Sequence, residues 1–164
     1  FLTPSYISSD NLGRSINIPY YLNLSNSKDL TFKPRIYMDD DYILHTEYRQ
    51  AFKNSDLITD FSFNRNENQT NLHLFANLNG DLNDSTTYDL KVQNVNNDNY
   101  LKIHGIKSYT KIIEDDSVLT SHLKIEKNID ENTTLESTAI IYEDLSKKSS
   151  DKYQYIFRLF LDSL

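Results

Sequence analysis

The chain is 164 residues long and carries 17 Lys and Arg against 24 Asp and Glu, for a formal charge of −7 and a pI near 5.0. That balance, with no basic run, argues against a nucleic-acid partner, and the absence of cysteine rules out a disulfide framework and thiolate metal sites. Mean hydropathy is −0.62, yet 12 Tyr and 8 Phe separate the composition from a disordered one, and the length suits one domain, residues 1–164, with a core.

No stretch approaches the roughly 18 apolar residues of a spanning helix. No basic segment precedes an apolar block, Phe1 is not a start methionine, and Leu164 closes the apolar pattern "YQYIFRLFLDSL". The chain is therefore expected to be a segment of something longer.

In chain order, almost every segment alternates with period two. "SINIPYYLNL" sets Ile16, Ile18, Tyr20, Leu22 and Leu24 against Asn17, Pro19, Tyr21 and Asn23. Residues 29–38 set Leu30, Phe32, Pro34, Ile36 and Met38 against Thr31, Lys33, Arg35 and Tyr37. Tyr42, Leu44, Thr46 and Tyr48 then oppose Ile43, His45, Glu47 and Arg49, and Leu57, Thr59, Phe61 and Phe63 oppose Asp60, Ser62 and Asn64. The alternation recurs near 70–79 and 86–95, weakens over 100–113, and returns at 117–127, 133–144 and 153–163. Between the runs lie the polar turn clusters "SNSKD", "DDD", "KNSD", "NENQ", "NGDLNDS", "NIDEN" and "SKKSSDK". The fold class read from this is all-β: an antiparallel meander of about ten strands and no helix.

Strand length carries further meaning. Soluble strands average about 5–6 residues, whereas a tilted membrane-spanning strand needs about 9–11, the length read here. One polar and one apolar face per strand suits a wall between lipid and a wet lumen. Tyr20, Tyr21, Tyr37, Tyr42, Tyr153 and Tyr155 near strand ends suit an interfacial girdle. A soluble β-sandwich, or a curved open sheet with one wet face, gives the same alternation, so both readings stand on pattern alone.

Chemistry-bearing motifs are sparse. His45, His73, His104 and His122 are scattered singly without ligand spacing and read as lumen or surface residues. "DLK" at Asp89–Lys91 has no upstream partner for a nuclease motif. Asp39-Asp40-Asp41 and the stretch from Asn96 to Asn99 lack the Gly and distal Glu of a calcium loop and read as solvated turns. No phosphate-cradling loop or nucleophile elbow is present, so neither an enzyme nor a cofactor or metal is expected. Lys33, Arg35, Glu47 and Arg49, on polar faces of neighbouring strands, are the remaining candidates, either pairing across strands or meeting a charged ligand.

The opening run, "FLTPSY…SSDNLG…NIPYYLNLSNSKDLTFKPRIYMDDD…TEYRQAF", resembles the start of the barrel domain of the outer-membrane LPS-assembly (LptD, organic solvent tolerance) family. The likeness rests on Phe1 to Tyr6, Pro19-Tyr20-Tyr21, Asp29, Leu30, Thr31, Pro34, Arg35, Tyr37, Met38, Glu47, Tyr48 and Arg49. It is close over about the first 50 residues and looser but collinear beyond, at Asp98, Tyr100, Leu101, "LTSHL", "YEDL" and "YQYIF". The chain departs from the family at Leu22, at Leu24-Ser25-Asn26 and in the acidic triplet after Met38.

The resemblance implies a partial transmembrane β-barrel in a Gram-negative outer membrane, one component of a translocon that inserts lipopolysaccharide into the outer leaflet. The implied partners are lipopolysaccharide, outer-membrane lipids, a plug lipoprotein in the lumen and a periplasmic bridge. A porin-like barrel of another class and a secreted β-sandwich binding module are the alternatives. Pro4 and Pro19 match prolines of the family's first two strands, beside the seam proposed to open laterally. Each removes a ladder donor, which makes them lateral-gate candidates; Pro34 reads as a bulge. On the same reading Lys33, Arg35, Glu47 and Arg49 face the lumen. "SSDNLG", "DDD" and "NENQ" face outward, and "SNSKD" and "KNSD" the periplasm.

Overall fold

A computed structural model of the chain describes residues 2–9, 12–38, 41–65, 69–106 and 117–163. In chain order the elements are β1 (Ser5–Ser9), β2 (Gly13–Asn17), β3 (Tyr20–Ser25), β4 (Lys28–Tyr37), β5 (Tyr42–Ala51), β6 (Ser55–Arg65), β7 (Thr70–Asn83), β8 (Thr86–Val95), α1 (Tyr100–His104), β9 (Val118–Asp130), β10 (Thr133–Asp144) and β11 (Tyr153–Ser163). All strands join one antiparallel sheet in the order β1-β2-β4-β5-β6-β7-β8-β9-β10-β11, with β3 paired to β4 beside β2. The sheet does not close: β1 and β3 form one edge and β11 the other. Among the described residues no helix is long and apolar enough to cross a membrane.

From β4 onward every strand has 10 to 14 residues, at the positions where the alternation runs. Two expectations are corrected. The run 16–24 is not one strand: it breaks at Ile18-Pro19 into β2 and β3, both lying along β4. Ile18 N–H donates to the Pro34 carbonyl (3.0 Å). In an antiparallel pair a residue's N–H and C=O point to the same side, so the return bond would need the donor that Pro34 lacks. Pro34 thus interrupts the ladder at the point where β2 gives way to β3. Pro34 itself opposes Leu44 in unshifted register, so β4 carries no bulge toward β5.

The second correction is α1, which fills part of the stretch where both periods mix. Its C-terminal side ends at Gly105, whose φ of 53° an L side chain rarely adopts. Short as it is, α1 brings apolar residues to the sheet. Tyr100, Leu101 and Ile106 join Phe75, Val95, Leu119 and Leu145 in the apolar core.

The two faces of the sheet invert the usual distribution. On the α1 face the buried residues include Ser15, Thr31, Lys33, His45, Glu47, Asp60, Ser62, Asn64, Asn71 and His73. The opposite face runs through Tyr6, Ile16, Ile36, Leu44, Phe61, Leu74, Val92, Leu123, Ile141 and Phe157, all exposed, Phe157 by 72%. Successive strands place these side chains beside one another: Ile16 opposes Ile36, Leu44 lies opposite Phe63 and Phe61 opposite Leu74.

The two rims differ as well. One carries the turns 26–27, 52–54, 84–85 and 131–132; toward the other run the ends joined by the β1–β2, β4–β5, β6–β7, β8–β9 and β10–β11 connections. The tight rim depends on one close approach, since a Cβ on Gly80 would collide with the Asn54 carbonyl and Ser55.

Candidate functional site

Beneath α1, three adjacent strands bring their polar face together. His45 on β5 lies opposite Ser62 on β6, and Ser62 lies opposite His73 on β7. Asp60, two residues from Ser62, projects from the same face between the two histidines. Its Oδ1 meets His45 Nε2 at 2.6 Å and His73 Nε2 at 2.7 Å. The second nitrogen of His73 is engaged too: Nδ1 lies 2.6 Å from Ser62 Oγ, which lies 2.8 Å from the Tyr100 hydroxyl. Asp60, Ser62 and His73 are all 0% exposed.

The chain of contacts fixes its own polarity when both imidazoles are neutral. A carboxylate only accepts, so His45 and His73 donate through Nε2–H to Asp60. His73 Nδ1 is then a lone pair that accepts from the Ser62 hydroxyl, and Ser62 Oγ accepts from Tyr100. Every member but one oxygen is satisfied: Asp60 Oδ2 is buried with no hydrogen-bond partner among the described residues.

α1 closes the network from above. Tyr37 OH lies 2.9 Å from His104 Nδ1, and Arg35 donates to the His104 carbonyl. Burial pushes the Tyr100 hydroxyl up to about 12, so it stays a neutral donor. Burial also lowers His104 below its ordinary 6.5, with Asp41 opposing the shift and Arg35 adding to it. A cavity of about 530 Å³ opens beside α1, lined by Ser15, Lys33, Arg35, Tyr37, His45 and His104.

The candidate charges fall on this face with distinct partners. Lys33 pairs with Glu47 at 3.7 Å, both buried. Arg49 grips Asp29, its cross-strand opposite, through Nε and a terminal nitrogen at 2.9 and 3.0 Å. Arg35 reaches α1 and does not pair with a cross-strand carboxylate among the described residues. Pro4 immediately precedes β1, and Pro19 separates β2 from β3, so both border the sheet's first edge.

Other expectations are revised by the geometry. Tyr37, read as a girdle residue, is buried against His104, whereas Tyr20, Tyr42, Tyr153 and Tyr155 are exposed. Asp39 and Asp40 lie outside the described residues. Asp41 accepts hydrogen bonds from Tyr42 N–H and Asn64 Nδ2, and Asn96 caps Leu72 N–H, as turn residues do. Asp89 of "DLK" lies 3.1 Å from His122 across the β8–β9 pair.

His45 and His73, read as scattered, are the clearest miss. The signal was present in the turns. Reflecting position 45 through the turn at 52–54 lands on Ser62, and the β6–β7 register carries 62 on to His73. No protein-family model matches the chain, and no curated protein matches it.

Proposed function

We propose that the chain is the opening part of an LptD-like outer-membrane β-barrel that passes lipopolysaccharide to the outer leaflet. The observation that carries this reading is the inversion of the two faces. Apolar residues are exposed across every long strand, while His, Asp, Glu, Lys and Asn side chains are buried on the other face. A sheet placed in water does the reverse, whereas a barrel wall in lipid needs this arrangement.

Further support comes from the rims and edges. Two- and three-residue turns on one rim and, apart from the β1–β2 connection, longer connections on the other suit outer-membrane grammar, with short turns on the periplasmic side. On this reading "SNSKD" and "KNSD" lie in the periplasm and Met38 and Asp41, at the other rim, outside. Two open edges call for further strands to close the wall, since an unpaired edge does not persist in lipid. Pro4 and Pro19 border the first edge and offer it no backbone donors, which suits a seam that opens sideways, and the pocket lined by Lys33 and Arg35 beside that edge suits a phosphorylated sugar head group.

A second reading, a porin-like barrel, is favoured by the β8–β9 connection folding α1 onto the polar face, as a constriction would. Depleting the full gene product in its host separates the two. The export reading expects lipopolysaccharide to accumulate before reaching the surface; unchanged surface lipopolysaccharide with altered solute uptake supports the porin instead.

A further inference from the structure

We infer that His45, Asp60 and His73 form a binding site for one divalent transition-metal ion, zinc being the best match, which staples β5, β6 and β7 beneath α1. The inference stands on the geometry of these strands and holds whether or not the chain exports lipopolysaccharide.

The donor set comes first. Two imidazoles and one carboxylate, with donor atoms all within 4.8 Å of one another, make an N2O set that suits zinc and its first-row neighbours rather than magnesium or calcium. The ligands come from three consecutive strands at fixed register, so the backbone holds them together without a loop. All three are buried.

The second observation is Asp60 Oδ2, buried without a hydrogen-bond partner among the described residues. Leaving a carboxylate oxygen in that state costs about 1–3 kcal/mol or more, and a cation bound through both oxygens of Asp60 would remove the cost. Charge agrees: the buried acids Asp60 and Glu47 face one buried cation, Lys33, which lies within electrostatic reach of Asp60 and pairs with Glu47. With neutral imidazoles that group retains one negative charge.

The third observation is the outer shell. A metal-bound imidazole turns its Nε2 lone pair to the ion, and its remaining proton must then find an acceptor at Nδ1. For His73 that acceptor is Ser62 Oγ, at 2.6 Å. Ser62 can accept from His73 and donate to Tyr100, or the reverse, because hydroxyls serve both roles. The Ser62–Tyr100 pair therefore satisfies His73 in either state, so α1, which carries Tyr100, senses the ion through two hydrogen bonds.

The test uses the untagged full gene product in detergent, stripped with a chelator, dialysed and titrated with Zn²⁺ against a chromophoric competitor. Native folding of each variant is checked by its electrophoretic shift on heating. The expected result is a site with Kd of roughly 1 µM or tighter that the H45Q/H73Q double variant lacks, lowering the stoichiometry by one ion per chain. Tyr100→Phe should weaken zinc by about 10–100-fold while the stoichiometry stays the same. Equal zinc uptake by wild type and double variant overturns the proposal. Should the double variant fail to fold, Co²⁺ added to the stripped wild type decides: visible d–d bands that shift in Tyr100→Phe support the site, and their absence overturns it.

Discussion

In the middle of the sheet, β5, β6 and β7 pair without a register shift from Ile43 to Ala51 and from Ser55 to Arg65, and their buried polar groups complete one another beneath α1. At the first edge, β1, β2 and β3 have 5, 5 and 6 residues, and their ladder to β4 is interrupted where Ile18 meets Pro34. Both regions are built on the same polar-in, apolar-out alternation. What differs is closure of the backbone and side-chain hydrogen bonds. One region has continuous ladders and linked side chains, with Asp60 Oδ2 left over, and the other lacks the donor of Pro34 at the point where β2 gives way to β3. On the proposed reading of a wall that yields at one seam, the interrupted ladder favours the first edge as the yielding point.

The sharpest way to break the contrast is to damage the middle. Asp60→Ala leaves two buried imidazoles without their shared acceptor, and should cost about 3–5 kcal/mol in urea unfolding of the detergent-solubilised protein. A loss below about 1 kcal/mol would mean that the network is not what holds β5 to β7. Tyr100→Phe removes only the terminal hydroxyl. It should cost about 1–2 kcal/mol and speed amide exchange in α1 before β6.

The first edge should respond in the opposite direction. Replacing Pro4 and Pro19 together with valine adds backbone N–H donors beside the first edge. It should stabilise the edge by up to about 1 kcal/mol and slow exchange of the β3 amides. On the export reading it should also slow delivery of lipopolysaccharide to the surface; delivery at the normal rate would remove the gate role from both prolines.

A smaller effect is expected from pH at α1. His104 is pushed below its ordinary value, so the folded state prefers the neutral ring. Its contribution is then fully present above about 6.5, the unfolded value, and is lost as pH falls through the lower folded value. Amide exchange at Leu101 to Ile106 should therefore rise between pH 7 and pH 5 relative to the rest of the sheet. In His104→Gln the component due to this residue should vanish. The smallest effect is at Arg49. Its ion pair with Asp29 is well formed but the arginine is half-exposed, so Arg49→Ala should cost no more than about 1 kcal/mol and less at high salt.

Much of the fold was legible because the side-chain period in a strand is strict. The runs 86–95, 133–144 and 153–163 are the bounds of β8, β10 and β11, and the faces read for residues 29–38 and 57–64 are the faces seen. Period two cannot show where a ladder loses a donor, so the split at Ile18-Pro19 was hidden behind an unbroken alternation. Nor could it reveal α1, whose five residues are too few to establish a helical period and which owes its place to the packing of Tyr100 and Leu101. The site was hidden for a different reason. His45, Asp60 and His73 meet across three strands, and their convergence depends on the β5–β6 and β6–β7 registers, which composition does not set.

The inversion of the two faces is the claim on which the functional reading rests, and the chain's lack of cysteine makes it directly testable. Single cysteines at Leu44, Leu74, Val92, Leu123 and Ile141, carried in a cysteine-free version of the full protein in native outer membranes, can each be spin-labelled. Their collision rates with lipid-soluble oxygen and with a water-soluble nickel chelate can then be compared. The account predicts that all five labels meet oxygen and are shielded from nickel, as residues in a hydrocarbon layer are. Ready access of nickel to these positions would contradict it and return the sheet to a water-soluble protein.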